Sequence, residues 1–295
     1  MSDKIFLNDG FKTRLGWRPE MFGGATIDDK LIEAITREQA RLGVTADGLF
    51  GPQSYKAWIE RELDVILNAK GWGLQTAGLV ALYTAKWFWL QNIRDSAAHK
   101  PSLALIDGMI RSDDGLGWSW LPTYEQDSFE WCLAFVARCW KAAGLAFYWR
   151  KFFLASTIRV DCWARYANFE DRKNIARPTT GARMIIKLDE NSVADDAVFP
   201  DGSRPRAGDI LLVGGAKTGP GKHGALVESF DPITGEFTTI EGNATGALPN
   251  GNRAHGVIRT RRPIGGVPRR PIGGVPNSTA YHARRVIRPA LGDLE

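Results

Sequence analysis

The stretch DSFEWCLAFVARCWKAAG, residues 127–144, decides how this chain is expected to fold. Its mixture of apolar and polar residues suits an amphipathic helix. Asp127 and Glu130 have the spacing of a capping box at the start of such a helix, and Gly144 suits the position just beyond its last turn. We therefore predict a single helix between Asp127 and Gly144.

The predicted helix carries two cysteines that are not equivalent. Cys132 is expected near the second turn, where the helix dipole and the free backbone N–H groups favour an anion, and a thiolate is the form of cysteine that attacks carbonyl carbons. Cys139 lies seven residues on, about 10 Å further along the axis. Because that separation exceeds the Cα distance of a disulfide, the two cannot be bonded. We predict Cys132 as a candidate nucleophile, with Cys139 and Cys162 as core residues.

After residue 206 the sequence pattern becomes that of extended structure. The runs GDILLVGG, HGALVESF and EFTTIEGN are rich in Leu, Val, Ile and Thr, and clusters of Gly, Pro and Asp separate them. They predict three strands, and HGVIRTRR and YHARRVIR predict two more. The segment DPITG, residues 231–235, is expected to close a hairpin in which Phe230 pairs with Glu236.

The predicted hairpin brings a histidine next to two possible hydrogen-bond acceptors. Counting back from the loop places His223 opposite Asn243 and Ala225 opposite Glu241, and directly opposed residues share one face of a sheet. His223 would then be the base that a thiolate needs, with either Glu241 or Asn243 orienting its ring. His255, in the similar sequence HGVI, is a rival base, but no IEGN-like partner follows it.

Length and composition indicate a globular protein. The 295 residues are 44% hydrophobic and include 11 Trp, enough for a substantial core. No apolar run follows a basic start at the N-terminus, so we expect synthesis in the cytoplasm without a signal peptide. Residues 77–90 are mostly apolar, contain Lys86 and are fewer than the roughly 20 residues of a membrane span, so a buried or amphipathic helix is predicted there.

Positive charge is concentrated in the last fifty residues. The chain has a net charge of +5, but residues 247–295 contain nine Arg against Asp293 and Glu295, a net +7, so the remainder carries −2. A patch of this kind can bind nucleic acid, an acidic membrane surface or an anionic cell wall, or it can be a solvated basic tail.

Four sequence blocks, WCLAFVARCWKAAG, AGDILLV, KHGALVESF and TIEGN, resemble the CHAP amidohydrolases, a family of papain-like cysteine hydrolases. The resemblance implies an α+β fold in which a helix bearing Cys132 packs on an antiparallel sheet. It further implies that Cys132 is the nucleophile, His223 the general base, Glu241 the third residue and Asn243 the amide beside it. The acidic calcium-binding loop of the family is not evident ahead of Cys132, so we expect neither a metal nor a cofactor.

The N-terminal pattern QARLGVTADGLFGPQSYKAW is similar to small peptidoglycan-binding modules, and it predicts two helices joined by a glycine-rich turn. The chain is thus expected to have four parts. These are a small helical module (1–70), a Trp-rich helical connector (71–120), a CHAP-like domain (121–262) with an insertion at about 145–206, and a basic C-terminal extension (263–295).

The two resemblances together imply hydrolysis of an amide bond in bacterial peptidoglycan. The helical module and the basic extension would hold anionic wall polymers, and no nucleic acid partner is expected. Without a signal peptide the protein would reach the wall through a holin or an injection apparatus, as a phage-type lysin or as an antibacterial effector with an immunity protein as its partner. Two alternatives remain open, an acyl transferase or deamidase acting on a protein, and a wall-binding protein without activity.

Overall fold

A computed structural model describes seven ranges of the chain, which are 3–69, 73–94, 131–143, 184–189, 191–214, 223–265 and 282–289. The α-helices within these ranges are α1 (Asp3–Leu15), α2 (Asp29–Arg41), α3 (Pro52–Asn68), α4 (Leu74–Leu90) and α5 (Cys132–Ala142). The strands are β1 (Met184–Lys187), β2 (Ile210–Gly214), β3 (His223–Asp231), β4 (Glu236–Ala247), β5 (Arg253–Pro263) and β6 (His282–Arg288). Cys162 and most of the predicted insertion lie outside the described residues.

The strands form one antiparallel sheet in the order β1-β6-β2-β3-β4-β5. All five strands predicted from the sequence are present, and β1 is an additional one. The five described α-helices all come before the first strand in the chain. The protein therefore belongs to the α+β class, as predicted.

Buried apolar side chains cover both faces of the sheet. Along β2, Ile210 and Leu212 belong to one core cluster, whereas Leu211 and Val213 belong to another. This alternation is the period of two that a strand imposes on its side chains. The first cluster joins all five described helices to the sheet, and the second includes Phe199 from the segment between β1 and β2. The helical N-terminal part and the sheet thus share one continuous apolar core.

Helix α4 is a largely buried helix, which is one of the two predicted alternatives. Ala77, Val80 and Trp89 are fully buried, and Lys86 is only 5% exposed because its amine is paired inside the protein. Among the helices that the structure describes, none combines the length and the apolar character that a bilayer crossing requires.

A buried ionic cluster ties the helices to the sheet. The amine of Lys86 lies 2.6 Å from Glu228 and donates to the Tyr55 hydroxyl at 2.7 Å, while Arg259 Nε donates to Glu228 at 2.6 Å. Burial lowers the pKa of Lys86, but the Glu228 carboxylate outweighs burial and the pKa is raised. A second guanidinium nitrogen of Arg259 donates to the carbonyl of Thr13 in the last turn of α1. The cluster therefore connects α1, α3, α4, β3 and β5.

Strand β6 is an internal strand of the sheet, although the sequence placed it in a basic extension. It pairs with β1 on one side and β2 on the other. Val286 and Ile287 are buried on the two opposite faces of the sheet, as expected for an internal strand. Arg288 is buried and donates to Asp209 through two nitrogens, at 2.9 and 2.8 Å. Together with Arg259, it is one of several C-terminal arginines whose charge is neutralised inside the protein. The segment therefore offers less positive charge to a partner than its net +7 suggests.

Candidate active site

The turn between β3 and β4 differs by one residue from the predicted turn. Asp231 pairs with Glu236, so the expected pair of Phe230 with Glu236 is wrong. The Asp231 carboxylate accepts a hydrogen bond from the backbone N–H of Ile233 at 2.9 Å, which fixes the start of the loop. Gly235 ends the loop at a φ of 65°, in the left-handed region. These contacts leave four residues in the loop instead of five.

A bulge in β3 cancels this difference. The register of the β3–β4 ladder shifts by one residue at Glu228, and beyond it Leu226 pairs with Ile240, which is the register predicted from the sequence. The shifts at the turn and at the bulge have opposite directions. His223 and Glu241 therefore share one face of the sheet, as expected.

Glu241, not Asn243, accepts the hydrogen bond from His223. His223 Nε2 lies 2.9 Å from Glu241 Oε2, and the Glu241 side chain is fully buried. Asn243 has a φ of 56° and lies in an irregular part of the β4–β5 ladder between Glu241 and Ala244. The left-handed backbone breaks the alternation on which the prediction for Asn243 depended. Within the described parts of the chain, the Asn243 side chain forms no hydrogen bond.

Cys132 is the first residue of helix α5, about one turn closer to the N-terminus than predicted. Trp131 precedes the helix and is not helical, and its carbonyl accepts a hydrogen bond from the N–H of Phe135 at 3.0 Å. The expected start after Asp127 is therefore wrong, and the predicted capping box lies outside the described residues. The first N–H groups of a helix have no partner within the helix. Cys132 thus lies where the helix dipole favours an anion most.

Two glycines let helix α5 approach the strands that carry His223 and Glu241. A side-chain carbon placed on Gly224 would lie 2.2 Å from Cδ2 of Leu133. One placed on Gly242 would lie 2.6 Å from Cζ3 of Trp131 and 2.7 Å from Cβ of Phe135. Sequence reasoning missed both glycines, although each directly follows a predicted site residue in the chain. Close contact of backbone and helix at these two points brings Cys132 to His223.

We expect Gly242→Ala to destabilise the protein and to reduce the reactivity of Cys132. The added methyl group has no room against Trp131 and Phe135, and overpacking of this kind costs about 1–3 kcal/mol in the free energy of unfolding. Urea unfolding and alkylation of Cys132 measure the two effects. Gly10→Ala in helix α1 is the control, since a carbon there meets nothing within 4 Å. Equal stability of the two variants would contradict the close packing of α5 on β4.

The buried Glu241 carboxylate accepts hydrogen bonds from Arg262 and Thr239 in addition to its contact with His223. Arg262 donates to it twice, from Nε to Oε1 at 2.8 Å and from Nη2 to Oε2 at 2.5 Å, and Thr239 Oγ1 donates to Oε1 at 2.6 Å. Burial alone would raise the pKa of Glu241, but the charge of Arg262, with the hydrogen bonds from Arg262 and His223, lowers it well below its usual range. Glu241 is therefore an ionised carboxylate.

His223 carries a positive charge at neutral pH. Burial lowers its pKa, but the charge of Cys132 and a hydrogen bond from the ring to Cys132, followed by the contact with Glu241, raise the pKa to about 10. Because Nε2 contacts Glu241, Nδ1 is the nitrogen that remains for the Cys132 sulfur. The site thus consists of a chain of interacting side chains, in the order Cys132, His223, Glu241 and Arg262.

The other candidate residues are not part of this arrangement. Burial raises the pKa of Cys139 well above its usual value, and the thiol is fully buried in the core, as predicted. His255, the rival base, is exposed on β5 opposite Thr245. In the described ranges, no group of three or more His, Cys, Asp or Glu side chains is arranged to hold a metal ion.

The sequence blocks that resemble the CHAP family lie on neighbouring elements of the structure. They fall on α5, β2, β3 and the middle of β4, and α5 packs on β3 and β4. Comparison of the chain with protein-family models, curated proteins and solved structures finds no match in any of the three. Membership of the CHAP family therefore stays a prediction from the sequence.

Proposed function

We propose that this protein is a papain-like cysteine hydrolase that cleaves an amide bond of bacterial peptidoglycan. The observation that supports the proposal is the hydrogen-bonded chain from Cys132 through His223 to the buried carboxylate of Glu241. A nucleophile, a base and a group that orients the base are the parts that covalent amide hydrolysis requires.

The proposed reaction begins with attack of the Cys132 sulfur on the amide carbonyl. The backbone N–H groups of the first turn of α5 would stabilise the oxyanion of the tetrahedral intermediate. His223 Nδ1 then gives its proton to the leaving nitrogen, and the C–N bond breaks to leave a thioester on Cys132. A water molecule, deprotonated by His223, attacks the thioester and releases the carboxylic acid product. Glu241 keeps the imidazole ring in place throughout.

The choice of peptidoglycan as the substrate draws on the sequence resemblances and on the N-terminal helices. Gln39 of α2 donates to Asp47 at 3.0 Å and to the carbonyl of Leu49 at 3.0 Å, and its own carbonyl accepts from the N–H of Gly48 at 2.8 Å. These contacts fix the turn in DGLFGP as a rigid part of the surface. A rigid module beside the hydrolase would hold wall polymer near Cys132, in either a phage-type lysin or an effector with an immunity protein.

Digestion of purified peptidoglycan tests the proposal. The full chain is incubated with sacculi, and the released fragments are identified by mass spectrometry, with Cys132→Ala as the inactive control. Loss of whole stem peptides from the glycan would indicate an amidase, and cleavage within the stem peptides would indicate an endopeptidase. If the wild type releases no fragment that the Cys132→Ala variant does not, the proposed substrate is wrong.

The charge of His223 predicts an alkaline limit to activity. Its pKa is raised to about 10, so the imidazolium is present throughout the neutral range and is lost as the pH rises through about 10. Because the leaving nitrogen takes its proton from this imidazolium, we expect kcat/KM to fall above that pH and to show no decline between about pH 7 and 9. A pH profile with a small amide substrate measures the limit. A decline near pH 6.5, the ordinary pKa of histidine, would contradict the charge assignment.

A further inference from the structure

Arg262 lies directly behind the carboxylate that orients His223. Its two nitrogens meet both oxygens of Glu241, and its side chain is 18% exposed, so the pair is shielded from water on the Glu241 side. We propose that Arg262 is a positioning residue of this site, which holds Glu241 in the orientation and the ionised state in which it supports the imidazolium of His223. The inference rests on the proposed function, since it concerns the same site.

The geometry leaves the Glu241 carboxylate no freedom to rotate. An ionised carboxylate has about four acceptor positions, two on each oxygen. On Oε1 they are taken by Thr239 and by Arg262 Nε, and on Oε2 by His223 and by Arg262 Nη2. The planar fork of a guanidinium fixes the plane of the carboxylate that it binds. Arg262 thereby sets the direction from which Glu241 accepts the hydrogen bond of His223.

The register of β4 and β5 places Arg262 within reach. Ile258 is directly opposite Glu241, and Arg262 is opposite Phe237. Positions 258 and 262 of β5 differ by an even number, so they share the face on which Glu241 lies. The long side chain of Arg262 can therefore extend along the strand to the carboxylate. A lysine at this position would place one ammonium group near the carboxylate and could not bind both oxygens through a planar fork.

The charges of the site also require a cation at this position. The groups that face one another are Cys132 from α5, His223 from β3, Glu241 from β4 and Arg262 from β5. Without Arg262, the buried Glu241 would lose the strongest of the influences that keep its pKa low. A protonated Glu241 can no longer attract the imidazolium, so the pKa of His223 would fall and Cys132 would lose its positively charged neighbour at a lower pH as the pH rises.

Alkylation of Cys132 tests the inference independently of any substrate. The full chain is treated with iodoacetamide at pH values from about 4 to 9, and peptide mass spectrometry follows the modification of each cysteine. In the wild type we expect Cys132 to react faster than an ordinary thiol at neutral pH, because the imidazolium of His223 lies beside its sulfur. In Arg262→Met we expect the profile to shift so that the rate at neutral pH falls about tenfold, because the imidazolium is then less stable and is lost at a lower pH. Arg262→Lys should restore part of the shift, because it keeps the charge.

A matched control on the same strand separates positioning from stability. Arg259→Met removes another arginine of similar exposure, 19%, from a buried ion pair, but that pair is with Glu228 and not with Glu241. We expect it to lower stability and to leave the pH profile of Cys132 alkylation unchanged. In a Glu241→Gln background, Arg262→Met should cause no further shift, because Arg262 is proposed to act only through Glu241.

The possible outcomes distinguish this inference from the proposed function. If the wild type and Arg262→Met have the same pH profile of Cys132 alkylation, or if Arg262→Met and Arg259→Met shift it equally, Arg262 has no positioning role while Cys132 keeps its reactivity. If Cys132 of the wild type reacts no faster than an ordinary thiol, the proposed function fails and the inference fails with it.

Discussion

Cys132→Ala is expected to abolish amide hydrolysis, with a loss of at least about 10⁴-fold in kcat, because it removes the sulfur that would form the thioester. The substitution removes the sulfur from the first residue of α5, next to the imidazolium of His223. It also removes the interaction with Cys132 that raises the pKa of His223, so His223 should titrate closer to its ordinary pKa in the variant. Release of fragments from peptidoglycan measures the first effect, and the NMR titration of the imidazole measures the second.

Cys139→Ala is the matched control for this prediction. It truncates a cysteine of the same helix, but one that is buried in the apolar core and whose thiol stays protonated. We expect a modest loss of stability and nearly unchanged turnover per folded molecule. Full activity of Cys132→Ala, or inactivity of a folded Cys139→Ala variant, would reverse the assignment of the two thiols.

His223→Ala is expected to have the second largest effect, a loss of about 10³–10⁴-fold in kcat. The variant loses both the counter-ion of the thiolate and the acid that protonates the leaving nitrogen. The Cys132 side chain would then react as an ordinary thiol, so its alkylation at neutral pH should slow as well. The buried carboxylate of Glu241 keeps its pair with Arg262, and the fold should therefore persist.

His255→Ala provides the control, because this histidine is exposed on β5, where it lies opposite Thr245. We expect hydrolysis and alkylation to remain within about twofold of the wild type, as is usual for surface substitutions. If His255→Ala lost turnover and His223→Ala kept it, the assignment of His223 as the base would be wrong.

The face that His223 shares with Glu241 could be predicted from the sequence, although the predicted loop was wrong and the choice between Glu241 and Asn243 stayed open. The length of the loop depends on hydrogen bonds of the Asp231 side chain, which pattern reasoning does not resolve. The bulge at Glu228 depends on tertiary contacts, since its carboxylate pairs with Lys86 of α4 and Arg259 of β5. Two shifts of one residue cancelled, so the face shared by the site residues was right.

Other parts of the site depend on contacts that are distant in sequence. Arg262 reaches Glu241 only through the register of β4 and β5, and the sequence assigned it no role. Asn243 could not be excluded beforehand, because the left-handed backbone at this position is uncommon for a residue other than glycine. The polarity of helix α5, by contrast, follows from local sequence, and it placed Cys132 closer than Cys139 to the N-terminal end of the helix even though the helix begins later than predicted.

The place of β6 between β1 and β2 has a consequence for synthesis on the ribosome. Chains are translated from the N-terminus, so α5 and the strands β1 to β5 are made before residues 282–288 emerge. Until then β1 has no neighbour to join it to the rest of the sheet, and the edge of β2 stays open to other chains. A nascent chain can therefore contain every residue of the candidate site and still lack a closed sheet. Completion of β6 would be the step that turns this intermediate into the stable protein.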